Sequence, residues 1–180
     1  MIKIKTRTKN ILVETFVFEG KVKIDCKYFI EKIEESINSN INNNYKTNVH
    51  GKMTPWLTFN DDEKFKNFLE DIKNVVIQIL KKNMTISLAE SWGNKYDYLD
   101  SCHLHDHKAS ELSGVLYLTK NNSGIYFPEY DLEILPEPGK FILFSPLLKH
   151  EVPTILDKKP RYCIAFNFNN ISFLDNTSKN

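Results

Sequence analysis

Three histidines alternate along one short stretch of this chain, His103, His105 and His107, and a fourth, His150, closes the apolar segment opened by Phe141-Ile142-Leu143-Phe144. Residues two apart in extended backbone project to the same side, so His105 and His107 can bring two imidazoles to one point. Neutral imidazole is a common ligand for divalent metal ions. A third histidine arriving from elsewhere in the fold would leave positions open opposite the three, as catalytic rather than structural metal sites do. The plainer reading is a polar loop whose histidines sit beside Asp100 and Asp106.

The segments that must position these side chains change character along the chain. Residues 1 to 24 read as two strands, Ile2 to Thr8 and Ile11 to Phe18, with Glu19-Gly20 as the break. Lys3, Lys5, Arg7 and Lys9 share one face of the first, a charged row that would discourage edge pairing. Phe29, Ile30, Ile33 and Ile37 recur at helical spacing and predict a helix over 27–38, followed by an Asn-rich loop. Phe65, Phe68, Leu69, Ile72, Val75, Val76, Ile79 and Leu80 predict a second helix, with Asn60 or Asp61 as its cap and Lys81 and Lys82 at its end. Beyond it the period falls to two. Strands are expected at 84–92, 112–119, 124–130, 140–145 and 161–168, separated by turns such as Asn121-Asn122-Ser123-Gly124 and Pro136-Glu137-Pro138-Gly139. Helices followed only by strands indicate a mainly β fold, a jelly roll backed by N-terminal helices. One domain over 1–180 is expected, with supporting elements in 1–83, the jelly-roll core in 84–169 and a tail in 170–180.

Composition narrows the class of function. The chain has 180 residues, 41% of them hydrophobic, enough for one buried core, and a formal net charge of +1 gives no general attraction for nucleic acid. No apolar run approaches the roughly 18 residues of a membrane span, and the N-terminus lacks the unbroken apolar stretch of a signal peptide. Cys26, Cys102 and Cys163 form no CxxC pair, which suits a reducing cytoplasm.

Several ordered motifs carry a family resemblance over roughly residues 48 to 169. Trp92-Gly93-Asn94, then HLHDHKASELSGVLYL from His103, then Gly124, Tyr126 and Phe127, then LPEPGKFILFSPLLKHEVP and PRYCIAFNF, resemble the Fe(II)- and 2-oxoglutarate-dependent oxygenases. Within these they look most like a prolyl-hydroxylase-like branch of bacteria and tailed phages. The resemblance implies a double-stranded β-helix, Fe(II) as metal, 2-oxoglutarate and O2 as cosubstrates, and hydroxylation with release of succinate and CO2. It places the metal on His105, His107 and His150, the last opening the penultimate core strand. Where the family usually has a second-ligand carboxylate this chain has His107. The alternatives are a pair shifted to His103 and His105, or Asp106 reaching the metal from irregular backbone. The family's cosubstrate cation corresponds to Arg161, a guanidinium whose fork suits a carboxylate. Tyr117 and Asn94 correspond to polar cosubstrate residues, while Cys163 stands where a hydroxyl is frequent. Trp92 reads as core packing.

Rival readings use the same scaffold. His105, His107 and Glu111 fit the first cupin element, but the second is missing. Zinc also suits three histidines, and an inert binding or virion module would keep the fold alone. Substrate is expected to be a protein side chain such as proline, or a small molecule. Thr54-Pro55-Trp56 and neighbouring loops stand ready to form a rim. Oligomeric state is not encoded in any motif.

Overall fold

The computed structural model describes residues 15–39, 47–80 and 84–173. The expected strand Ile2–Thr8 with its basic face, most of the Asn-rich loop, and Lys81 and Lys82 lie outside these residues. A first strand, β1 (Val17–Lys21), leads to helix α1 (Cys26–Asn38), which starts where Asp25 accepts the Tyr28 N–H at 3.2 Å and buries Phe29 and Ile33. Two short strands follow, β2 (Val49–His50) and β3 (Lys52–Met53), then helix α2 (Glu63–Leu80).

The cap of α2 is Asp62, not Asn60 or Asp61. Its carboxylate accepts the Phe65 N–H at 3.0 Å, and its other oxygen accepts from the Tyr28 hydroxyl at 2.7 Å and Lys32 Nζ at 2.5 Å. One buried acid therefore ends one helix and ties it to the other. Asn60 is occupied elsewhere, bonding Ala89 O and the Ser91 hydroxyl.

Two antiparallel sheets make up the rest: β4 (Met84–Tyr96), β5 (Ser101–His105), β6 (Leu112–Tyr117), β7 (Ile125–Phe127), β8 (Leu132–Ile134), β9 (Lys140–Phe144), β10 (His150–Val152) and β11 (Arg161–Phe173). The larger sheet runs β1-β9-β6-β11-β4-β3 and the smaller β2-β5-β10-β7-β8. From β4 onward the chain alternates between the two, apart from the β7–β8 hairpin within the smaller sheet, which is the winding of a jelly roll. Expected strands are present with shifted limits: β1 runs through Glu19 and Gly20 where a break was expected, β4 continues to Tyr96 and β11 to Phe173, and β7 gives way at Pro128 to a 3-10 turn, while β2, β3, β5, β8 and β10 are further strands. His150 does not close the apolar strand. β9 ends at Phe144, a turn crosses to the other sheet, and His150 opens β10 there.

The pleat of the larger sheet sorts its side chains. On one face Leu116, Ile164, Phe166 and Phe168 pack with Phe29, Ile33, Phe65, Phe68 and Ile72 of the helices, each burial contributing about 2 kcal/mol. Gly93 permits that approach, since a Cβ there would lie 2.4 Å from Ile33 Cγ1. The opposite face looks toward the smaller sheet. Its residues pair across three strands in rows: Tyr96 with Arg161; Asn94 with Cys163 and Tyr117; Trp92 with Ala165 and Val115; Glu90 with Asn167 and Ser113.

Replacing Asp62 tests the helix tie. Asp62→Ala is expected to lower the unfolding free energy by about 2–3 kcal/mol, from the lost cap and two lost charge-assisted bonds, with Asp62→Asn losing less. Urea denaturation of the two variants reads this, and equal midpoints for Asp62→Ala and the parent protein would discount the tie.

Candidate metal centre

His105 and His150 face each other as a register pair across β5 and β10, with ring centroids 4.3 Å apart. His107 lies just past the end of β5, where the chain leaves the strand; its backbone N–H is held by Pro146 O at 2.9 Å. Its ring stands 5.0 Å from that of His105 and 5.1 Å from that of His150. One ligand atom from each of the three lies within 4.8 Å of the others.

The rings are prepared as neutral donors. Nδ1 of His105 lies 2.7 Å from His103 O and Nδ1 of His150 lies 3.0 Å from Leu148 O, so each can donate there and leave its Nε2 lone pair for a metal. Burial pushes the His107 imidazolium down to about 4 and that of His150 to about 3, each helped by repulsion from the charge of His105, and burial lowers His105 as well. Three uncharged nitrogens converging without a carboxylate suit a divalent ion of intermediate softness.

His103 and Asp106 are elsewhere. The exposed ring of His103 stacks on His50, with centroids 4.1 Å apart, and Asp106 pairs with Lys108 Nζ at 2.9 Å. A register shift explains the first: β10 pairs His150 with His105 but Val152 with Cys102, so the irregularity in β5 breaks the alternation and turns His103 outward although it shares parity with His105, while Asp106 is the first residue beyond the strand.

Behind the histidines the rows of the larger sheet form the floor of a narrow cavity of about 50 Å³. Arg161 borders it with 1% exposure, its guanidinium carbon 5.1 Å from the Tyr96 ring centre and 5.3 Å from that of Tyr117. Its Nη1 donates to Cys163 Sγ at 3.7 Å, and it has no carboxylate partner among the described residues. Arg161 Nε, the Tyr117 hydroxyl and Asn94 Oδ1 are all buried without hydrogen-bond partners. Unmet groups of this kind cost about 1–3 kcal/mol each unless something satisfies them. A carboxylate would answer the two donors, Arg161 Nε and the Tyr117 hydroxyl, and a second carboxylate on the same molecule would extend toward the histidines; Asn94 Oδ1, an acceptor, calls for a donor instead.

Three residues of this cavity escaped the sequence reading as site residues. Tyr96 sits two residues beyond Asn94 on the same face of β4, and Cys102 has its thiol 3.8 Å from His105 Nδ1. Trp92 is buried but borders the cavity rather than only the core. Extending the period-two pattern of β4 past residue 92 would have found Tyr96; nothing local marks Cys102.

Depressed imidazole values carry a sign. Below pH 6.5 the unfolded chain takes up protons that the metal-free folded protein refuses, so stability falls as pH drops from 6.5 toward 4 and is fully present above 6.5. The melting temperature of metal-free protein across this range is expected to fall less steeply in His150→Asn, and parallel curves would refute the assignment of uncharged rings.

No protein-family model matches the chain, and no curated protein does. Solved structures do. The viral collagen prolyl hydroxylase of Paramecium bursaria Chlorella virus-1, in complex with 2-oxoglutarate, superposes with a TM-score of 0.66 at 12% identity, over 86% of this chain and 94% of that one. A prolyl-4-hydroxylase of Pseudomonas putida gives 0.61 at 14% identity over 85% and 91%. HygX from Streptomyces hygroscopicus, with nickel and 2-oxoglutarate bound, gives 0.60 at 11% identity over 86% and 82%. The chain therefore has the antiparallel jelly-roll fold that these oxygenases share.

Proposed function

We propose that this protein is an Fe(II)- and 2-oxoglutarate-dependent dioxygenase, a hydroxylase acting on a protein side chain or a small molecule in the cytoplasm. The observation that carries this is a single cavity with three neutral imidazoles at its mouth and an ion-unpaired, buried arginine at its base. Structural neighbours crystallised with 2-oxoglutarate support the same reading. So do the motifs shared with the bacterial and phage branch, and the three free thiols suit a reducing compartment.

Bound iron supplies activation of O2 coupled to decarboxylation of 2-oxoglutarate, yielding succinate, CO2 and an oxidised C–H bond. Everything else is work for the chain. His105, His107 and His150 hold the metal through one ring nitrogen each. Arg161 grips the far carboxylate of the cosubstrate with two parallel charge-assisted bonds, which fixes how deep the molecule sits. The Tyr117 hydroxyl donates to that same carboxylate; burial raises its pKa, so it stays a protonated donor. Asn94 takes part through its amide, whose nitrogen rests 4.0 Å from Cys163 Sγ while its oxygen is unpartnered. Val115, Ile125, Phe144 and Val152 line the remaining wall and keep water from the reacting centre. A zinc hydrolase or a cupin has no need of the caged cation.

Turnover of 2-oxoglutarate to succinate with Fe(II) is expected in the purified protein and should vanish in His150→Ala. Arg161→Ala is expected to raise the KM for 2-oxoglutarate by about 100-fold, as loss of a buried charge partner does. Nickel affinity, measured by calorimetry, should change less than about threefold. An unaltered KM in a folded Arg161→Ala variant would remove that residue from the cosubstrate site.

A further inference from the structure

Above the histidines the cavity opens into a groove of about 300 Å³ that shares His105, His107, Val49 and Trp92 with it. Its walls include both tryptophans of the chain, Trp56 and Trp92, whose rings meet edge to face with centroids 4.6 Å apart. Its acids are Glu90 and Asp106, and among the described residues no Lys or Arg borders it. These acids differ. Asp106 already shares its charge with Lys108, whereas Glu90 has no ion pair among the described residues and is half-buried.

Glu90 is deliberately held. Its Oε1 accepts from Asn167 Nδ2 at 2.7 Å, and Asn167, 2% exposed, accepts in turn from the buried Ser113 hydroxyl at 2.7 Å. Neutral donors orient the carboxylate without cancelling its charge. A second, independent feature points to a ligand: the indole N–H of Trp92, in a residue 5% exposed, is buried with no acceptor. The groove thus offers one uncompensated negative charge, two aromatic walls and one unused donor.

Resting on the oxygenase reading above, we propose that the substrate carries a cationic aliphatic group, an ammonium or guanidinium on a carbon stem, together with a carbonyl oxygen. The cation pairs with Glu90 beside the paired indoles, where Coulomb attraction and contact with an exposed ring face act together. The carbonyl accepts from Trp92. Both a free basic amino acid and a basic residue within a peptide have this chemistry. A neutral stem would leave Glu90 unpaired, and an anionic one would be repelled.

Both tryptophans border the groove, so intrinsic fluorescence reports its occupancy directly. Full-length protein loaded with Ni(II) and 2-oxoglutarate is titrated with Nα-acetyl-lysine N-methylamide, free lysine and the neutral Nα-acetyl-norleucine N-methylamide. The acetyl-lysine amide is expected to bind at least tenfold more tightly than the norleucine amide. Glu90→Gln, which keeps the acceptor for Asn167, is expected to abolish that preference. Equal affinity of the two amides, or a preference that survives Glu90→Gln, overturns the proposal. Free lysine matching the acetylated amide identifies a free amino acid as the source, and binding of the amide alone a peptide. Calorimetric titration of 2-oxoglutarate into the Ni(II)-loaded protein is read separately. Probe binding without 2-oxoglutarate binding sinks the oxygenase reading and keeps the cationic groove; the reverse sinks the groove alone.

Discussion

The register of β11 between β4 and β6 is the constraint on which the rest of the molecule depends. Side chains of a strand alternate between faces, so a slip of one residue would turn Arg161, Cys163 and Asn167 into the helix-packed core and bring Ile164, Phe166 and Phe168 into the cavity. The phenylalanines packed against α1 and α2 make that exchange very unfavourable. Hydrophobic burial on one face thereby fixes the polar chemistry on the other. At about 3.3 Å per residue, the four rows from Tyr96 to Glu90 span about 20 Å. That single axis carries the cation at the bottom, the histidines alongside its middle and the free carboxylate at the top.

The cost of this arrangement is visible in the atoms left without partners. Arg161, Tyr117, Asn94 and Trp92 each bury a polar atom that no protein group satisfies. Native interiors rarely tolerate such groups in number, and their clustering in one cavity separates a ligand site from a packing defect. The stacked rings of Tyr96 and Tyr117 hold the guanidinium in place without neutralising it. A carboxylate partner would have stabilised the empty protein and competed with the cosubstrate. Preorganisation here means keeping the cation dry, immobile and unpaired.

Much of the site could be read from residue types because chemistry constrains them tightly. Alternating histidines and a late arginine are rare enough to stand out, and the apolar periods of α1 and β9 follow from packing alone. Tertiary effects account for what was missed. Asp62 outcompetes Asn60 and Asp61 as a cap because Tyr28 and Lys32, distant in sequence, meet its second oxygen. His150 begins a strand rather than closing the apolar one because the chain crosses between sheets after Phe144, at Ser145-Pro146, a turn signal that the apolar run before it overshadowed. Glu90 looked like an ordinary strand residue. Only its register opposite Asn167 shows that it is held over the mouth of the cavity.

The departure of the chain from β5 at His105 has an electrostatic result. Had the strand continued regularly, Asp106 would face away and His107 inward; the bond from His107 N–H to Pro146 O keeps that outcome after the strand has ended. The acid turns to Lys108, and all three converging donors are neutral. A divalent ion held by them keeps its full charge, where a carboxylate ligand would have halved it. Two positive centres, metal and guanidinium, then bracket the inner cavity, a setting that favours a dianion over any neutral or singly charged acid. Once that dianion occupies the cavity its charge offsets most of theirs. Glu90 balances the positive charge that is left, so the repulsion a cation would meet at the mouth of the empty, metal-loaded cavity is removed and the local contact with Glu90 decides.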